Sequence, residues 1–394
     1  MTRILYIAPV RDFSGYAAAS RGYINALHRA GADLVVRAIR YDRADAGTEY
    51  TPTALEKELL LKPLENIDVV IQHTTPNELR PVAGKVNIAV VAWETDRIPE
   101  YWVKKLNQFD AVITFCQTSV DAFVNSGVTV PVTKIPHTFD IPSYTLDGLT
   151  EIESPSAPDL FQDKFVFYNI SQLSTKKGID VLLRAYLTEF HGADKDKVIL
   201  ILKTYIDMSN RHSERDRIKA FVAGVKNALR LSANEYPPLM VICNTLSDER
   251  IKRIHFTGDA YVCSSRAEGW CIPAFEALAY GKKLITTTWG GMGEFALLDS
   301  KDLASSIRNN VYEVGYTLEP LVGQHHGDPE LYTARDNIAE PSVRSMMKQM
   351  RQALTADLDP KPDMMEFDYS NVGPMMLAFI DGVVAKLTKE TVNV

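Results

Sequence analysis

Short apolar runs rich in valine and isoleucine alternate with helical segments along nearly the whole chain. Several runs are apolar at every position, which is typical of strands buried on both faces. Between them, apolar residues recur three and four positions apart, which predicts helices over residues 16–29, 181–190 and 276–280. This alternation predicts an α/β fold with doubly wound parallel sheets. The predicted strands are residues 4–8, 34–38, 68–72, 87–92, 111–115 and 133–135, then 165–170, 198–203, 239–243, 260–263 and 283–287.

The two series of strands are separated by residues 141–160, which are rich in Pro, Ser, Asp and Glu and show no periodicity. A length of 394 residues favours two domains. We therefore predict two Rossmann-like domains, residues 1–142 and 161–370, joined by a linker over 143–160 and facing an interdomain cleft. A last helix is predicted over 374–387.

The formal net charge is −7 and no long run of Lys and Arg occurs, which argues against a generally polybasic nucleic-acid binder. No apolar stretch approaches the ~20 residues needed to cross a bilayer. The first residues read as a strand and not as a signal peptide, so we expect a cytoplasmic protein. The cysteines form no CxxC or Cys/His cluster, which predicts reduced thiols and no zinc site, and they are Cys116, Cys243, Cys263 and Cys271.

The most informative segment, residues 264–279, reads SSRAEGWCIPAFEALA and joins a predicted strand to a helix. The helix is predicted to begin near Pro273, and the N–H groups at such a start bind anions. Glu268 lies in the loop and Glu276 in the first turns of the helix. Two carboxylates that flank a phosphate site suit a sugar on one side and a ribose on the other. Taken alone, they also fit a solvated loop residue and a residue that stabilises the helix dipole.

Two further turns carry candidate residues. Residues 169–178, NISQLSTKKG, place two lysines just before a helix, where they can supply positive charge to a diphosphate. A solvated basic turn is the alternative. Residues 12–19, DFSGYAAA, form a strand–glycine–helix turn without the GxGxxG spacing. That difference, with the absence of a Tyr-x-x-x-Lys motif next to a serine-bearing strand, argues against a Rossmann oxidoreductase or epimerase.

These motifs occur in order along nearly the whole chain, together with SGYAAASRGYINAL (14–27) and IPHTFD (135–140). The combination, above all the E-x7-E pair formed by Glu268 and Glu276, resembles the retaining GT-B glycosyltransferases of glycosyltransferase family 4. The resemblance implies a nucleotide-sugar donor site in the second domain, with a UDP-sugar favoured. It also implies that residues 371–394 cross back onto the first domain. It implies no prosthetic group and no metal.

The resemblance assigns roles to individual residues. Glu276 would bind the ribose hydroxyls. Lys177 would stabilise the departing phosphate, with Lys176 nearby and Gly15 beside it across the cleft. Glu268 would bind the transferred sugar and the diphosphate together with the backbone of the four residues that follow it, Gly269, Trp270, Cys271 and Ile272.

The chain departs from the family pattern at two positions. Many members carry an arginine five residues before the lysine of the Lys-Gly pair, where this chain has Gln172. The charge of the leaving diphosphate would then fall to Lys177, to Lys176 or Lys203, and to the helix dipole. Many members also carry a histidine after a first-domain strand, and here Glu94 takes that place.

We expect Glu94 to orient an acceptor or sugar hydroxyl. The other candidates on the acceptor side are His73, Arg11, Tyr16 and Asp96.

The predicted activity is that of a retaining, metal-independent hexosyl- or pentosyltransferase that uses a UDP- or GDP-sugar and a hydroxyl acceptor. A non-catalytic nucleotide-sugar-binding protein is the alternative, because of the two departures. Residues 1–43 contain seven arginines and three aspartates, which is compatible with an anionic acceptor. A saccharide or lipid-linked glycan is the first choice of acceptor, and a hydroxymethylated DNA base is the second. The sequence does not indicate an oligomeric state.

Overall fold

The computed structural model describes residues 2–39, 50–153, 157, 159–206, 211–299, 306–322 and 331–392. The chain forms two compact units. Unit 1 consists of Met1–Ser143, Glu330–Tyr332 and Met364–Val394, and unit 2 consists of Tyr144–Pro329 and Thr333–Asp363.

The described part of unit 1 contains a six-stranded parallel sheet in the order β2-β1-β3-β4-β5-β6. Strands β3 and β5 are buried at every position, because the helices leave neither face of these strands open. The strands are β1 (Arg3–Ala8), β2 (Asp33–Ala38), β3 (Val69–His73), β4 (Val86–Val90), β5 (Ala111–Thr114) and β6 (Val132–Lys134). The helices are α1 (Gly15–Arg29), α2 (Ala54–Leu61), α3 (Glu100–Leu106), α4 (Gln117–Asn125) and α11 (Tyr369–Val392).

Helix α1 follows β1 and carries the first-unit motif. Ser14 caps it by accepting a hydrogen bond from the backbone N–H of Ala17 at 3.2 Å. Its small side chains let the last helix of the chain, α11, pack closely against it. A Cβ on Gly373 of α11 would lie only 2.2 Å from the carbonyl oxygen of Ala26. Glycine at this position therefore sets the distance between the two helices.

The described part of unit 2 contains a second six-stranded parallel sheet, in the order β12-β11-β10-β7-β8-β9, and a separate antiparallel hairpin, β13–β14. Its strands are β7 (Phe165–Gln172), β8 (Val198–Tyr205), β9 (Leu239–Ile242), β10 (Ala260–Val262), β11 (Lys283–Thr286), β12 (Val311–Glu313), β13 (Tyr316–Pro320) and β14 (Asn337–Pro341). Its helices are α5 (Ile179–Glu189), α6 (Arg211–Leu229), α7 (Asp248–Thr257), α8 (Ile272–Ala279), α9 (Gly291–Ala296) and α10 (Val343–Thr355).

The prediction of an α/β chain with two doubly wound parallel sheets is confirmed. Each of the eleven predicted strands is present, with ends shifted by two residues at most. The sequence reading missed β12 and the β13–β14 hairpin. Strand β12 is only three residues long, and β13 is exposed at four of its five positions, so neither shows a buried apolar run. Within the described residues, every helix is too short or too polar to cross a bilayer.

The packing of α11 on α1 can be tested with two glycines of the same helix. We expect Gly373→Ala to lower the free energy of unfolding by about 1–3 kcal/mol, because the new methyl group forces the helices apart. Gly382→Ala is the control. A Cβ there meets nothing within 4 Å, so the free energy should stay level or rise by up to ~1 kcal/mol. Urea unfolding measures both values, and equal stability of the two variants would contradict the close packing.

Candidate active site

The strand order of unit 2 reverses between β7 and β10. The chain passes from β7 to β8 and β9 on one side, and from β10 to β11 and β12 on the other. In open α/β sheets, ligands bind at the carboxyl ends of the strands at such a point. Two of the segments that the sequence singled out follow the strands that end there. We call residues 173–178, after β7, the lysine loop and residues 263–271, after β10, the glutamate loop.

An ion pair joins the two loops. The Nζ atom of Lys177 lies 2.5 Å from Oε1 of Glu268, and the Ser265 hydroxyl donates to the same oxygen at 2.7 Å. The Lys177 side chain is 21% exposed and that of Glu268 is 8% exposed. The pair is therefore shielded enough to be stronger than a surface ion pair, and the lysine still reaches solvent, where a ligand can contact it.

Backbone contacts hold the loops in register. The Ser264 hydroxyl donates to the carbonyl of Lys177 at 3.0 Å, and the N–H of Arg266 donates to the carbonyl of Lys176 at 2.8 Å. Gly178 has a left-handed φ of 62°, and a Cβ on it would lie 2.0 Å from the carbonyl oxygen of Ser264. The lysine loop therefore ends in glycine for two reasons, its backbone conformation and the close approach of the glutamate loop.

The guanidinium of Arg266 clamps four segments together. It donates to both carboxylate oxygens of Asp180 at 3.0 and 3.1 Å, to both of Glu340, and to the carbonyl of Thr175. The arginine is 5% exposed. Burial alone raises the pKa of Asp180, but the hydrogen bonds and charge of Arg266 outweigh it and lower that pKa below its usual value. The clamp ties the glutamate loop to the lysine loop, the start of α5 and strand β14.

The second glutamate of the motif lies on α8, which starts where the glutamate loop ends. Cys271 precedes the helix with a left-handed φ of 73°. The Glu276 side chain is 25% exposed, and one of its carboxylate oxygens lies 3.6 Å from Nε2 of His255, which is fully buried. A further backbone hydrogen bond holds the glutamate loop, because the N–H of Gly291 donates to the carbonyl of Glu268 at 2.9 Å.

The remaining donor-side candidates of unit 2 are less directly placed. Gln172 is exposed, and its amide donates to the carbonyl of Ile206 at 3.0 Å. Lys203 lies at the carboxyl end of β8 and is 8% exposed, and burial lowers its pKa. The ring of Trp270 is buried against Phe275 and Phe295, so it belongs to the core.

All four cysteines are free, as predicted, although Cys243 and Cys271 are only partly buried. The thiols of Cys263 and Cys271 lie 3.7 Å apart. In the described part of the chain, no group of three or more His, Cys, Asp or Glu side chains could hold a metal ion.

Unit 1 places several candidates at its own reversal point, between β1 and β3. Gly15 begins α1 and is exposed, and a Cβ on it would meet nothing within 4 Å. Arg11 is exposed in the same turn, and Tyr16 is partly exposed, with its ring 5.6 Å from that of His73. Nothing in the packing of the unit requires glycine at position 15.

His73 differs from the expectation. It is fully buried at the end of β3, with Nδ1 2.8 Å from the Tyr6 hydroxyl and 3.1 Å from that of Ser20. Burial lowers the pKa of His73 to about 3, so its imidazole is neutral at pH 7. His73 thus packs in the core of unit 1, and its contact with an acceptor stays a prediction.

Glu94 lies in the loop after β4, where a distant segment of the chain reaches it. The hydroxyl of Tyr332 donates to Oε2 of Glu94 at 3.1 Å, and the Tyr332 ring stacks on Trp93 with centroids 5.2 Å apart. Asp96 is partly exposed two residues further on. Glu94 and Asp96 thus share a loop that the aromatic stack helps to hold.

Most of the N-terminal arginines are used inside unit 1. Arg3 pairs with Asp33 at 3.2 Å, and Arg29 pairs with Asp140 at 3.1 Å. The guanidiniums of Arg21 and Arg37 donate to backbone carbonyls. Arg40 and Arg43 lie outside the described residues. Four of the five described arginines in this segment are therefore held by contacts inside unit 1.

The sequence reading gave no role to Arg266, His255 or Tyr332. Arg266 could have been found, since it is a charged residue in a loop between a buried strand and an apolar helix. Its partners Asp180 and Glu340 are 86 and 74 positions away. Nothing in the sequence links such distant positions, and the same holds for Tyr332 and Glu94.

Residues 151–299, inside unit 2, match the family model of glycosyl transferases group 1. The whole chain is similar in structure to a UDP-forming α,α-trehalose-phosphate synthase from Burkholderia vietnamiensis, with a TM-score of 0.64 and 11% identity, covering 98% of each chain. A synthase of the same kind from Burkholderia xenovorans, in complex with glucose-6-phosphate, gives a TM-score of 0.61 and 12% identity, covering 97% of this chain and 99% of that one.

The Anabaena protein Alr3699/HepE, in complex with UDP and glucose, gives a TM-score of 0.54 and 14% identity, covering 100% of both chains. The chain has the GT-B glycosyltransferase fold. No curated protein sequence matches it at a significant level. The predicted resemblance to GT-B glycosyltransferases is confirmed, by the fold along the whole chain and by the family match over residues 151–299. Membership of family 4 and retention of configuration stay predictions.

The Arg266 clamp leads to a stability prediction. We expect Arg266→Met to lower the free energy of unfolding by about 3 kcal/mol, because two carboxylates lose their buried cation. Arg184→Met is the matched control. Arg184 also contacts Asp180, at 3.1 Å, but it is 43% exposed, and its loss should cost between 0 and about 1 kcal/mol.

Denaturant unfolding at several pH values measures both variants. In the folded protein the pKa of Asp180 lies below its ordinary value, so the stabilisation is complete above that ordinary value and is lost as the pH falls through the lowered one. The difference between wild type and Arg266→Met should therefore shrink in acid. Equal stability of the two at neutral pH would contradict the clamp.

Proposed function

We propose that the chain is a retaining glycosyltransferase that moves a hexose or pentose from a UDP-sugar, with a GDP-sugar as the second choice, to a hydroxyl of a saccharide-type acceptor. One observation carries the proposal. The Lys177–Glu268 pair lies where the strand order of unit 2 reverses, inside the segment that matches the group 1 family model. The resemblance stated above assigns the donor phosphates and sugar to these two residues.

The geometry supports a division of labour between them. An ammonium group carries three N–H donors, one of which bonds to Glu268, and the Lys177 side chain is 21% exposed. Lys177 can therefore contact a phosphate oxygen without leaving the carboxylate. The carboxylate oxygens of Glu268 can accept hydrogen bonds from sugar hydroxyls. Glu276, one quarter exposed on α8, would accept the ribose hydroxyls at the other end of the donor.

In the proposed reaction, the bond between the anomeric carbon and the phosphate oxygen breaks, and the acceptor oxygen bonds to that carbon on the same face. The acceptor proton passes to the departing phosphate. The chain stabilises the developing negative charge with Lys177 and the N-terminus of α8, and it supplies no covalent nucleophile. Because Gln172 stands where many relatives have arginine, Lys177 is expected to carry more of this charge here.

Two substitutions test the donor roles. Glu276→Ala should raise the KM for the donor about 10–100-fold, since two hydrogen bonds to a charged group are lost. Lys177→Ala should lower kcat about 10²–10³-fold, since the charge is needed in the transition state. Initial rates of UDP release with UDP-glucose and a panel of sugar acceptors measure both, and NMR of the product gives the anomeric configuration.

Lys197→Ala, in an exposed turn of the same unit, is the control and should behave as wild type. Wild-type kinetics in both site variants would overturn the assignment, and an inverted product would overturn retention. Tight UDP binding with no release of UDP under any acceptor would favour the alternative, a nucleotide-sugar-binding protein without turnover. This alternative is considered because Gln172 stands where many members of the family carry an arginine.

The structure favours a small saccharide or sugar phosphate over DNA as acceptor. A duplex acceptor needs many exposed Lys and Arg contacts to phosphates. Four of the five N-terminal arginines in the described residues instead bond to carboxylates or carbonyls of unit 1, and the fifth, Arg11, is exposed. The fold relative that binds glucose-6-phosphate supports a sugar-phosphate acceptor. A lipid-linked glycan fits the same chemistry.

Salt dependence separates the acceptor classes. With a neutral saccharide, the KM for the acceptor should change less than about twofold between 50 and 200 mM salt. With a sugar phosphate that contacts Arg11, the KM for the acceptor should rise modestly with salt. In the Arg11→Gln variant this salt dependence should disappear. If hydroxymethylated duplex DNA serves as acceptor and its affinity falls about 10³-fold over this salt range, the preference for a saccharide acceptor is contradicted.

A further inference from the structure

A completely enclosed histidine lies beside the carboxylate of Glu276. The Nε2 atom of His255, in the last turn of α7, lies 3.6 Å from Oε2 of Glu276, and the histidine is fully buried. In the described residues, Nε2 has no hydrogen-bond partner within normal distance. A buried N–H without an acceptor costs about 1–3 kcal/mol, so its placement beside a carboxylate calls for a physical reason.

The other ring nitrogen of His255 is fixed by Tyr168, at the centre of β7. The Tyr168 hydroxyl lies 3.0 Å from Nδ1, and the two rings meet edge to face at 87° with centroids 5.4 Å apart. Burial raises the pKa of Tyr168 well above its usual value, and the charge of Glu276 adds to that rise. The phenol therefore keeps its proton and needs an acceptor, and Nδ1 is the acceptor in place.

This arrangement sets the tautomer of the histidine. When Nδ1 accepts from Tyr168, the ring proton of the neutral imidazole is on Nε2, and it faces Glu276. The backbone of Gly258 packs directly against the tyrosine ring. A Cβ on Gly258 would lie 2.1 Å from Cδ1 of Tyr168. A continuous series of contacts thus runs from Gly258 through Tyr168 and His255 to the carboxylate of Glu276.

We propose that His255 is a positioning residue, whose Nε2–H holds the Glu276 carboxylate in the orientation that receives the ribose hydroxyls of the donor nucleotide. The inference rests on the function proposed above. At 3.6 Å the contact is longer than a hydrogen bond, so the N–H dipole orients the carboxylate without saturating it. The carboxylate can then accept two ribose hydroxyls and lose little side-chain entropy when the nucleotide binds.

The test compares a substitution that removes the N–H with one that restores it. His255→Phe fills the same space without a donor and should raise the Kd for UDP about tenfold, with kcat changed by less than about twofold. His255→Gln places an amide N–H near the position of Nε2 and should restore the Kd to within about threefold of wild type. His191→Phe, a partly exposed histidine of the same unit, is the control and should leave the Kd unchanged. Calorimetric titration with UDP, and with GDP in parallel, gives the Kd.

A purely structural role for His255 predicts a different result. If His255 acts through Glu276, then His255→Phe raises the Kd less than about twofold further when Glu276 is already alanine. A structural role would add the same factor in both backgrounds. Because His255→Phe leaves the Tyr168 hydroxyl without an acceptor, the cycle is repeated with Tyr168→Phe/His255→Phe, which removes that hydroxyl as well.

The outcomes separate this inference from the proposed function. If wild type binds UDP and His255→Phe binds it equally well, the positioning role is wrong and the function stands. The positioning role is also wrong, and the function again stands, if the effect of His255→Phe persists undiminished without Glu276. If wild type binds neither UDP nor GDP, the proposed function and the inference fall together.

Discussion

The candidate site depends on the hydrogen bonds of the Arg266 guanidinium. The guanidinium is buried, it bonds to two carboxylates and a carbonyl, and its three partner segments come from both ends of unit 2 in the sequence. A buried arginine in a protein costs several kcal/mol unless such partners surround it. Once the partners are in place, the lysine loop and the glutamate loop have one relative position. The Lys177–Glu268 pair then follows from the position of the loops and needs no strong attraction of its own.

This order of construction explains how the site can be charged and still rigid. Loops are usually the most mobile part of an α/β fold, and catalytic electrostatics needs groups that do not reorganise. Here the clamp, the two close glycine contacts at Gly178 and Gly291, and the buried Tyr168–His255 pair each fix one part of the same strand edge. Glu268 and Glu276 are therefore supported independently, the first through the loops and the second through α7 and β7.

Features that depend on residues close together in the sequence could be predicted best. Apolar runs gave the eleven strands, and the ends of two neighbouring parallel strands gave the loops that contain Lys177 and Glu268. Sequence reasoning failed where the deciding contact is distant in sequence. Arg266 reaches Glu340, Tyr332 reaches Glu94, and the N-terminal arginines find carbonyls or carboxylates up to 111 residues away. It also could not show that His73 is fully buried, since a position after a strand does not reveal burial. Residue counts showed the local excess of arginine but not that four of these side chains make contacts within unit 1.

The central claim is that unit 2 binds the nucleoside diphosphate of a sugar donor where its strand order reverses, between the lysine loop and α8. A crystal structure of the complex with UDP tests it most directly. The account predicts a Glu276 carboxylate oxygen within about 2.6–3.0 Å of a ribose hydroxyl, and Nζ of Lys177 within about 2.7–3.2 Å of a phosphate oxygen. A nucleotide bound elsewhere on the unit, with the Lys177–Glu268 pair untouched by phosphate, would contradict it.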